Sequence, residues 1–363
     1  MSDDTELGQQ IDAQIRATGP VSLSTYMGLC LTHPTLGYYQ NFDPLGVDGD
    51  FITAPEISQM FGEFIGLWIA GCWQAMGSPA SFDLVELGPG RGTLLNDALR
   101  VLSRVEGASE AMRLNLLETN TTLKDAQRQL LGKYDPRWIS EIDELDDQDI
   151  PLIVIANEFF DALPIKQYQK QKGQWHERAI GLREGKRGWG LAPSAFPTDS
   201  LPKQIRDAED GSVWEAGLAG LQAMSDLASR IATRKGALLA IDYGYEQTQT
   251  GETFQALEKH QYADPLANPG KADLTAHVDF EALATAATIS GATVLPLKTQ
   301  GTFLRTMGIE DRAAALVEAN PELASSINAA KNRLISADQM GTLFKALCIA
   351  SPGLTPYPFG EQS

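Results

Sequence analysis

Cysteine, histidine and positive charge are all scarce in this chain of 363 residues. Its three cysteines, Cys30, Cys72 and Cys348, are isolated, and its four histidines form no cluster with metal-ligand spacing. Neither a disulfide framework nor a structural zinc site is therefore expected. The cysteine pattern predicts a protein of a reducing compartment without a structural metal.

Basic residues are outnumbered by acidic ones, 29 Lys and Arg against 47 Asp and Glu, so the formal net charge is −18. A chain with this balance lacks the positive field that tracks a phosphate backbone, and we expect no nucleic-acid substrate. The acidity would suit a basic protein partner, although solubility alone is the simpler explanation.

Long hydrophobic runs are absent too. The longest apolar candidate, residues 60–76, contains Glu63 and Gln74 and is shorter than the roughly 20 residues that span a bilayer. The first six residues show neither a signal peptide nor an arginine-rich mitochondrial presequence. These features predict a cytoplasmic bacterial protein without membrane insertion.

One segment, residues 82–95, leads from an apolar run through a glycine cluster into a helical pattern. The apolar run suits a buried parallel strand, and the leucines that follow recur at the spacing of an amphipathic helix. Between them stand Gly88, Gly90 and Gly92, which allow positive φ and let a ligand approach the backbone closely. This arrangement predicts a nucleotide-type cofactor site.

The chemistry around this turn favours one cofactor. The G-x-G-x-G spacing is not the dinucleotide fingerprint, because Thr93 stands where its last glycine would be, and no Walker lysine follows. Glu86, just before the turn, suits a cofactor with an ammonium group. S-adenosylmethionine has such an amino-acid tail, and Glu118 at the end of the second strand is placed to bind its ribose.

Polar residues also follow two further buried runs. Asn157 and Glu158 end one of them and Asp242 ends another. Ligands bind beyond the carboxyl ends of the strands in open parallel sheets, so these residues are catalytic candidates. Asn157 could instead satisfy a turn, whereas Phe159 and Phe160 are expected to be packing residues.

A glycine- and proline-rich loop, residues 43–57, precedes the apolar helix at 60–76 and could form a lid over the site. It would contribute Thr53, Pro55 and Glu56. The alternative is that Glu56 or Ser58 only caps the following helix.

His277 stands immediately before a predicted helix start. It could orient a substrate or move protons, or serve as a structural hydrogen-bonding residue.

The remaining pattern predicts the following segments: a helix at 7–17, a helix capped by Ser22 or Ser24 up to residue 32, a hairpin at 165–168 and 175–180, an irregular insertion at 183–202, a helix at 213–232, and strands at 293–297, 302–304 and 344–349.

Six segments stand in order along nearly the whole chain: GDFITAPEISQ at 49–59, LVELGPGRGTL at 84–94, NEFFDALP at 157–164, IDYG at 241–244, ADLTAHVDF at 272–280 and MGTLFK at 340–345. Together they resemble the MidA family of adenosylmethionine-dependent methyltransferases. In one place the chain departs from the family pattern, because Glu118 is followed by Thr119 and Asn120 where Glu-x-Ser-Pro is expected. The ribose acid itself remains.

The resemblance implies a class I methyltransferase fold, an α/β Rossmann-like fold whose mostly parallel sheet carries helices on both faces, with an N-terminal helical extension and a substrate-binding insertion. We expect N-terminal helices and a lid loop over residues 1–80, a catalytic domain over 81–350 with insertions within 165–235 and 250–340, and a tail over 351–363. The cofactor, S-adenosyl-L-methionine, is expected to bind Glu86, Gly88, Pro89, Gly90, Gly92, Thr93, Glu118, Asn157, Thr53 and Pro55.

The family includes the mitochondrial arginine methyltransferase that assists assembly of respiratory complex I, so the resemblance implies symmetric dimethylation of an arginine in a protein such as the 49-kDa subunit. Because a guanidinium stays protonated, carboxylates must fix its plane and draw positive charge away from the attacking nitrogen. Glu158, helped by Asn157 and Glu56, is predicted to do this, with His277 and Asp242 as further candidates. A small-molecule methyltransferase and a non-catalytic assembly factor that binds adenosylmethionine are the alternatives.

Overall fold

The structure, a computed structural model, describes residues 5–41, 53–145, 149–199 and 201–360. The first part of the expected lid loop, up to residue 52, lies outside the described residues. Among the described residues, no helix has the length and the hydropathy needed to cross a bilayer.

The α-helices, numbered in chain order, are α1 (Glu6–Thr18), α2 (Leu23–Thr32), α3 (Tyr38–Asn41), α4 (Ala54–Ile57), α5 (Gln59–Ala75), α6 (Thr93–Leu102), α7 (Ala108–Ala111), α8 (Thr121–Leu131), α9 (Lys203–Arg206), α10 (Leu218–Arg234), α11 (Phe280–Ile289), α12 (Gln300–Met307), α13 (Ile309–Ala319), α14 (Ala324–Ile335) and α15 (Met340–Leu343).

The strands are β1 (Val21–Ser22), β2 (Phe82–Leu87), β3 (Met112–Leu117), β4 (Arg137–Ile139), β5 (Leu152–Asn157), β6 (Lys166–Gln171), β7 (Gln174–Arg183), β8 (Lys186–Phe196), β9 (Val213–Ala216), β10 (Gly236–Tyr245), β11 (Gln255–Glu258), β12 (Gln261–Ala263), β13 (Asp273–Thr275), β14 (Val278–Asp279), β15 (Thr293–Val294), β16 (Lys298–Thr299) and β17 (Phe344–Ala350).

The chain divides into two compact units, each built from several segments. The smaller unit comprises Met1–Phe51, Asp161–Leu221 and Gln247–Glu281, and the larger unit comprises Ile52–Phe160, Gln222–Glu246 and Ala282–Ser363. This division differs from the expected boundary at residue 80, because α5 packs in the core of the larger unit.

The larger unit contains a mostly parallel sheet in the strand order β15-β17-β10-β5-β2-β3-β4. The five strands from β10 to β4 are parallel, and β17 runs antiparallel to β10. The chain leaves β2 towards β3 on one side, whereas β5 lies on the other side of β2. The carboxyl ends of β2 and β5 therefore form the switch point where open α/β sheets bind ligands.

Close packing of α5 on α6 completes this core. Ser58 caps α5 by accepting a hydrogen bond of 3.2 Å from the backbone N–H of Met60, which confirms the capping alternative for that serine. A Cβ at Gly66 would stand only 2.4 Å from the carbonyl oxygen of Ala98, so the two backbones approach at a position that only glycine permits.

The smaller unit pairs its strands in the order β1-β7-β6-β9, with β8 also on β7, and has a separate sheet in the order β12-β11-β13. The apolar stripe of α1, formed by Leu7, Ile11 and Ile15, packs in one core with Ile180 of β7 and with buried residues of α2. Helix α2 begins after Ser22, whose side chain accepts from the backbone N–H of Thr25, as predicted.

Most predicted helices and strands are confirmed, including α1, α2, α5 and the hairpin of β6 and β7. The predicted strand at 302–304 is wrong, because these residues lie inside α12, which Thr299 caps. The segment at 183–202, predicted to be irregular, contains β8, and the helix predicted from residue 213 begins only at Leu218, after β9. These strands escaped detection because glycine interrupts β8 and because β9 has only four residues.

Candidate active site

The turn after β2 has the left-handed backbone that its glycines predict. The φ angles of Gly88, Gly90 and Gly92 are 62°, 54° and 86°. The backbone N–H of Gly92 donates to the carbonyl of Pro89 at 2.8 Å, which closes the turn. Helix α6 begins at Thr93, and its first N–H groups have no intrahelical acceptor. A ligand at the turn therefore meets a backbone on which three of five residues lack a side chain, and a helix N-terminus.

Glu118 stands at the end of β3 as predicted, but it is already engaged with the protein. One carboxylate oxygen accepts from the backbone N–H groups of Thr119 and Asn120 at 2.9 and 2.8 Å, and the other accepts from the amide of Gln127 at 3.1 Å. Burial raises the pKa of Glu118, while these hydrogen bonds act in the opposite direction. The oxygen that Gln127 contacts keeps acceptor capacity for a hydroxyl group.

Gln127 is a site residue that sequence reasoning missed. Its amide nitrogen also donates to the carbonyl of Gly90 at 2.6 Å, and its oxygen accepts from the indole N–H of Trp138 at 2.8 Å. The side chain is fully buried. It occupies the apolar stripe of α8 between Leu123 and Leu131, and a polar residue at such a position was the available signal.

Glu86 and Asn157 each carry a buried oxygen that lacks a hydrogen-bond partner within the described part of the chain: Oε2 of Glu86 and Oδ1 of Asn157. The two residues lie on β2 and β5, which pair with each other. Burial raises the pKa of Glu86 to about 8. Unpaired buried acceptors are costly, so both atoms indicate a ligand that brings hydrogen-bond donors.

Glu158 has a strained backbone directly after β5. Its φ is 50°, which a residue with a Cβ seldom adopts and which clusters at functional sites. Its backbone N–H donates to the carbonyl of Ile241 at 2.9 Å. One carboxylate oxygen accepts from the backbone N–H of Ala54 and from the amide of Asn157, each at 3.2 Å. The carboxylate is thus held in one place by two donors.

The described end of the expected lid lies against this site. Thr53 precedes α4, and Pro55 lies in the first turn of that helix. Glu56 accepts a hydrogen bond of 2.7 Å from the hydroxyl of Thr93, the first residue of α6. Helix α4 therefore contacts both the cofactor turn, through Glu56, and the end of β5.

The two further catalytic candidates have other surroundings. Asp242 is fully buried, and its two oxygens accept from the backbone N–H groups of Phe160 and Tyr243 at 3.0 and 2.9 Å. It therefore holds the segment after β5 in place, and a catalytic role for Asp242 stays a prediction. His277 belongs to the smaller unit, where its backbone N–H donates to the hydroxyl of Thr253 at 2.9 Å. A catalytic role for His277 stays a prediction.

A comparison with protein families shows which class of protein this is. Residues 64–298, more than half of the chain, match a family described as "Putative S-adenosyl-L-methionine-dependent methyltransferase". The chain belongs to this methyltransferase family. The predicted family, the predicted methyltransferase activity and the predicted cofactor are thereby confirmed.

Relatives of the methyltransferase extend along nearly its whole length. It is 38% identical over 373 residues to a Drosophila melanogaster protein named as a homolog of the mitochondrial protein arginine methyltransferase NDUFAF7, covering 94% of this chain and 84% of that one. It is 35% identical to the human protein arginine methyltransferase NDUFAF7, covering 91% and 80%. These relatives share the organisation of the chain, not only its cofactor turn.

A Burkholderia thailandensis protein, crystallised with S-adenosyl-homocysteine, superposes with a TM-score of 0.83 at 27% identity, covering 98% of this chain and 95% of its own. The class I methyltransferase fold is thereby confirmed. S-adenosylmethionine supplies a methyl group on a sulfonium. The unpaired oxygens of Glu86 and Asn157 fit its ammonium and hydroxyl donors, the glycine turn leaves room for it, and Glu118 would hold its ribose.

Proposed function

We propose that this methyltransferase modifies arginine side chains of a protein. The names of the relatives at 35–38% identity support an arginine acceptor. The observation that carries the proposal is Glu158, whose left-handed backbone and doubly held carboxylate fix a negative charge beside the cofactor turn. A half-buried carboxylate of this kind is the natural partner of a guanidinium.

The chemistry explains why such a carboxylate is needed. A guanidinium is protonated at any physiological pH, and its lone pairs are delocalised. Pairing with Glu158 would hold its plane and draw positive charge away from the nitrogen that attacks. A bond then forms between this nitrogen and the methyl carbon, the carbon–sulfur bond breaks, and the nitrogen loses a proton to solvent. Asn157 and Glu56 would keep Glu158 and the start of α6 in position.

The finer features of the function are proposed with it. We propose symmetric dimethylation of an arginine in a subunit such as the 49-kDa subunit of respiratory complex I, with a role in its assembly, in the cytoplasm. The net charge of −18 favours a basic segment around the acceptor arginine.

The test replaces Glu158 by Gln, which keeps the size and one acceptor oxygen but removes the charge. We expect methyl transfer to fall by about 100-fold or more, in the range of other lost charge-stabilising groups. Binding of S-adenosyl-homocysteine, measured by calorimetry, should stay within about threefold of the wild type. Glu184→Gln is the matched control, because Glu184 is exposed and has a φ of 53° on a turn outside the site.

The acceptor is found with methyl-labelled cofactor and a host lysate, followed by mass spectrometry of proteins and metabolites. Label on protein arginine supports the proposal, whereas label on a metabolite indicates a small-molecule methyltransferase. If neither carries label although the cofactor binds, the chain is a non-catalytic assembly factor. Undiminished transfer by the Glu158→Gln variant would refute the role of Glu158.

A further inference from the structure

The smaller unit has a groove that the methyltransferase site does not use. Its volume is about 830 Å³, and it lies between the last turn of α1 and the strands β7 and β8. The residues of β8 that line it run without interruption from Gly188 to Pro193. At about 3.3 Å per residue, these six positions span roughly 20 Å, the length of an extended segment of about six residues.

Glycines keep the groove open. Gly181 of β7 and Gly188 and Gly190 of β8 line it, and a Cβ built at Gly188 meets no atom within 4 Å. The backbone of Gly188 is not left-handed, so a larger residue fits there without strain. The space above Gly188 is therefore open to a side chain or to a ligand.

Trp189 of β8 is an aromatic residue of the groove lining. Its side chain belongs to the large hydrophobic residues that stay exposed, at 37%, whereas most tryptophans are largely buried. Arg178 lies over its ring at 4.4 Å and is fixed by an ion pair of 2.6 Å with Glu252, while Phe254 packs against it edge to face. An exposed aromatic side chain held in this way loses little conformational entropy on binding a partner.

The charge of the groove is opposite to that of the chain. Its charged lining residues, among those that the structure describes, are Arg16 and Arg183, and no acidic residue lines it. Arg16 pairs with Asp12 at 3.7 Å, and that carboxylate also binds Arg187 at 3.0 Å. In a chain with a net charge of −18, a groove with two arginines favours an acidic ligand.

We propose that this groove binds an extended acidic segment of the protein that is methylated, with an apolar side chain of the segment on Trp189 and carboxylates on Arg16 and Arg183. The proposal rests on the proposed function only in taking the acceptor to be a protein. Extended peptides commonly dock in this way along strands and beside exposed aromatic rings.

The experiment uses the full chain and a fluorescein-labelled peptide of about eight residues in which Glu alternates with Val, long enough to fill the groove. The same peptide with Lys in place of Glu is the charge control. We expect the acidic peptide to bind, with an affinity that falls as salt rises, and the basic peptide not to bind. Fluorescence polarisation measures both affinities without any methyl transfer.

Two variants locate the binding. Gly188→Leu fills the groove, and Arg183→Glu cancels its positive charge; each is expected to weaken binding of the acidic peptide at least tenfold. Gly71→Leu and Arg206→Glu are their controls, since a Cβ at Gly71 also meets no atom within 4 Å and Arg206 is exposed, and neither lines the groove. With a protein acceptor, Gly188→Leu should raise KM and leave kcat unchanged.

Equal binding of the two peptides, or an unchanged affinity in Gly188→Leu with its fold intact by circular dichroism, would overturn the proposal. The two proposals fail separately. If no protein is methylated while the acidic peptide still binds through the groove, the groove is a docking site without the proposed acceptor. If proteins are methylated and the peptide does not bind, the groove has no such role and the proposed function stands.

Discussion

Replacing Glu86 by Gln tests how the site recognises its cofactor. Glu86 is 3% exposed on β2, and burial raises its pKa from the ordinary 4.5 to about 8. One pKa unit corresponds to about 1.4 kcal/mol, so the ionised carboxylate is disfavoured by about 5 kcal/mol in the folded protein without cofactor. The ammonium group of S-adenosyl-homocysteine beside this carboxylate would repay much of that cost.

The direction of the pH dependence follows from linkage. Below the folded pKa of about 8, Glu86 is mostly protonated, and an ammonium that binds its ionised form must displace the proton. Affinity should therefore rise towards tenfold per pH unit between about pH 5.5 and about pH 7, with close to one proton released per bound ligand. Gln cannot release this proton, so the Glu86→Gln variant should bind more weakly and without the slope.

The contribution of Glu86 to the stability of the protein without cofactor should fall as pH rises, whereas the affinity for the cofactor should increase. Below pH 4.5 Glu86 is protonated in both folded and unfolded chains, and its contribution to the free energy of unfolding is complete. Between pH 4.5 and about 8 the unfolded chain loses the proton first, so this contribution is lost as pH rises. Relative to Glu86→Gln, the wild type without cofactor should therefore become less stable across that window.

Calorimetry with S-adenosyl-homocysteine in buffers of different ionisation enthalpy measures both the affinity and the proton release. Glu110→Gln is the matched control, because Glu110 is exposed on α7 in the same unit, and it should keep the wild-type slope. A wild-type affinity that does not change from about pH 5.5 to about pH 7, or a slope that survives in Glu86→Gln, would refute the reasoning.

Two further predictions concern parts that hold the site together. Gln127→Leu removes the amide that joins Glu118 to the cofactor turn. Because a hydrogen bond to a charged group contributes roughly 1.5–3 kcal/mol, we expect the affinity for S-adenosyl-homocysteine, measured by calorimetry, to fall about tenfold or more. An unchanged affinity would contradict the role of Gln127. Gly62→Ala places a Cβ 2.6 Å from Asp97 and should destabilise the fold by about 1–3 kcal/mol in urea, whereas Gly71→Ala in the same helix, where nothing lies within 4 Å, should be neutral or stabilising.

The parallel part of the fold could be predicted because its signals are local. Each buried strand is a short apolar run, and each is followed by a polar residue or a glycine where the chain leaves the sheet. The strands of the smaller unit were harder to predict. Strand β8 exposes much of its length and contains glycines and a proline, so no alternation of burial marks it. Its identity depends on pairing with β7, a contact that no window of sequence contains.

The acidic residues of the candidate site could be predicted from the sequence, but their hydrogen bonds and backbone conformations could not. Glu86, Glu118 and Glu158 follow from position at strand ends, which topology brings together. That Glu118 is already bonded, or that Oε2 of Glu86 has no partner among the described residues, depends on tertiary neighbours such as Gln127. The strained φ of Glu158 likewise has no sequence signal, because glutamate seldom adopts it.

The sheet itself sets the spacing of the candidate site residues. Beyond their last paired residues, β2, β3 and β5 each make one more hydrogen bond to a neighbouring strand: Gly88 N–H to Leu117, Glu118 N–H to Ile139 and Glu158 N–H to Ile241, at 3.1, 3.1 and 2.9 Å. The first residue after each of these three strands is therefore held by the ladder as well as by its loop. Loops can then vary to suit an acceptor while the glycine turn, Glu118 and Glu158 keep their places. Methyl transfer requires such fixed positions, because the acceptor nitrogen must lie in line with the methyl group.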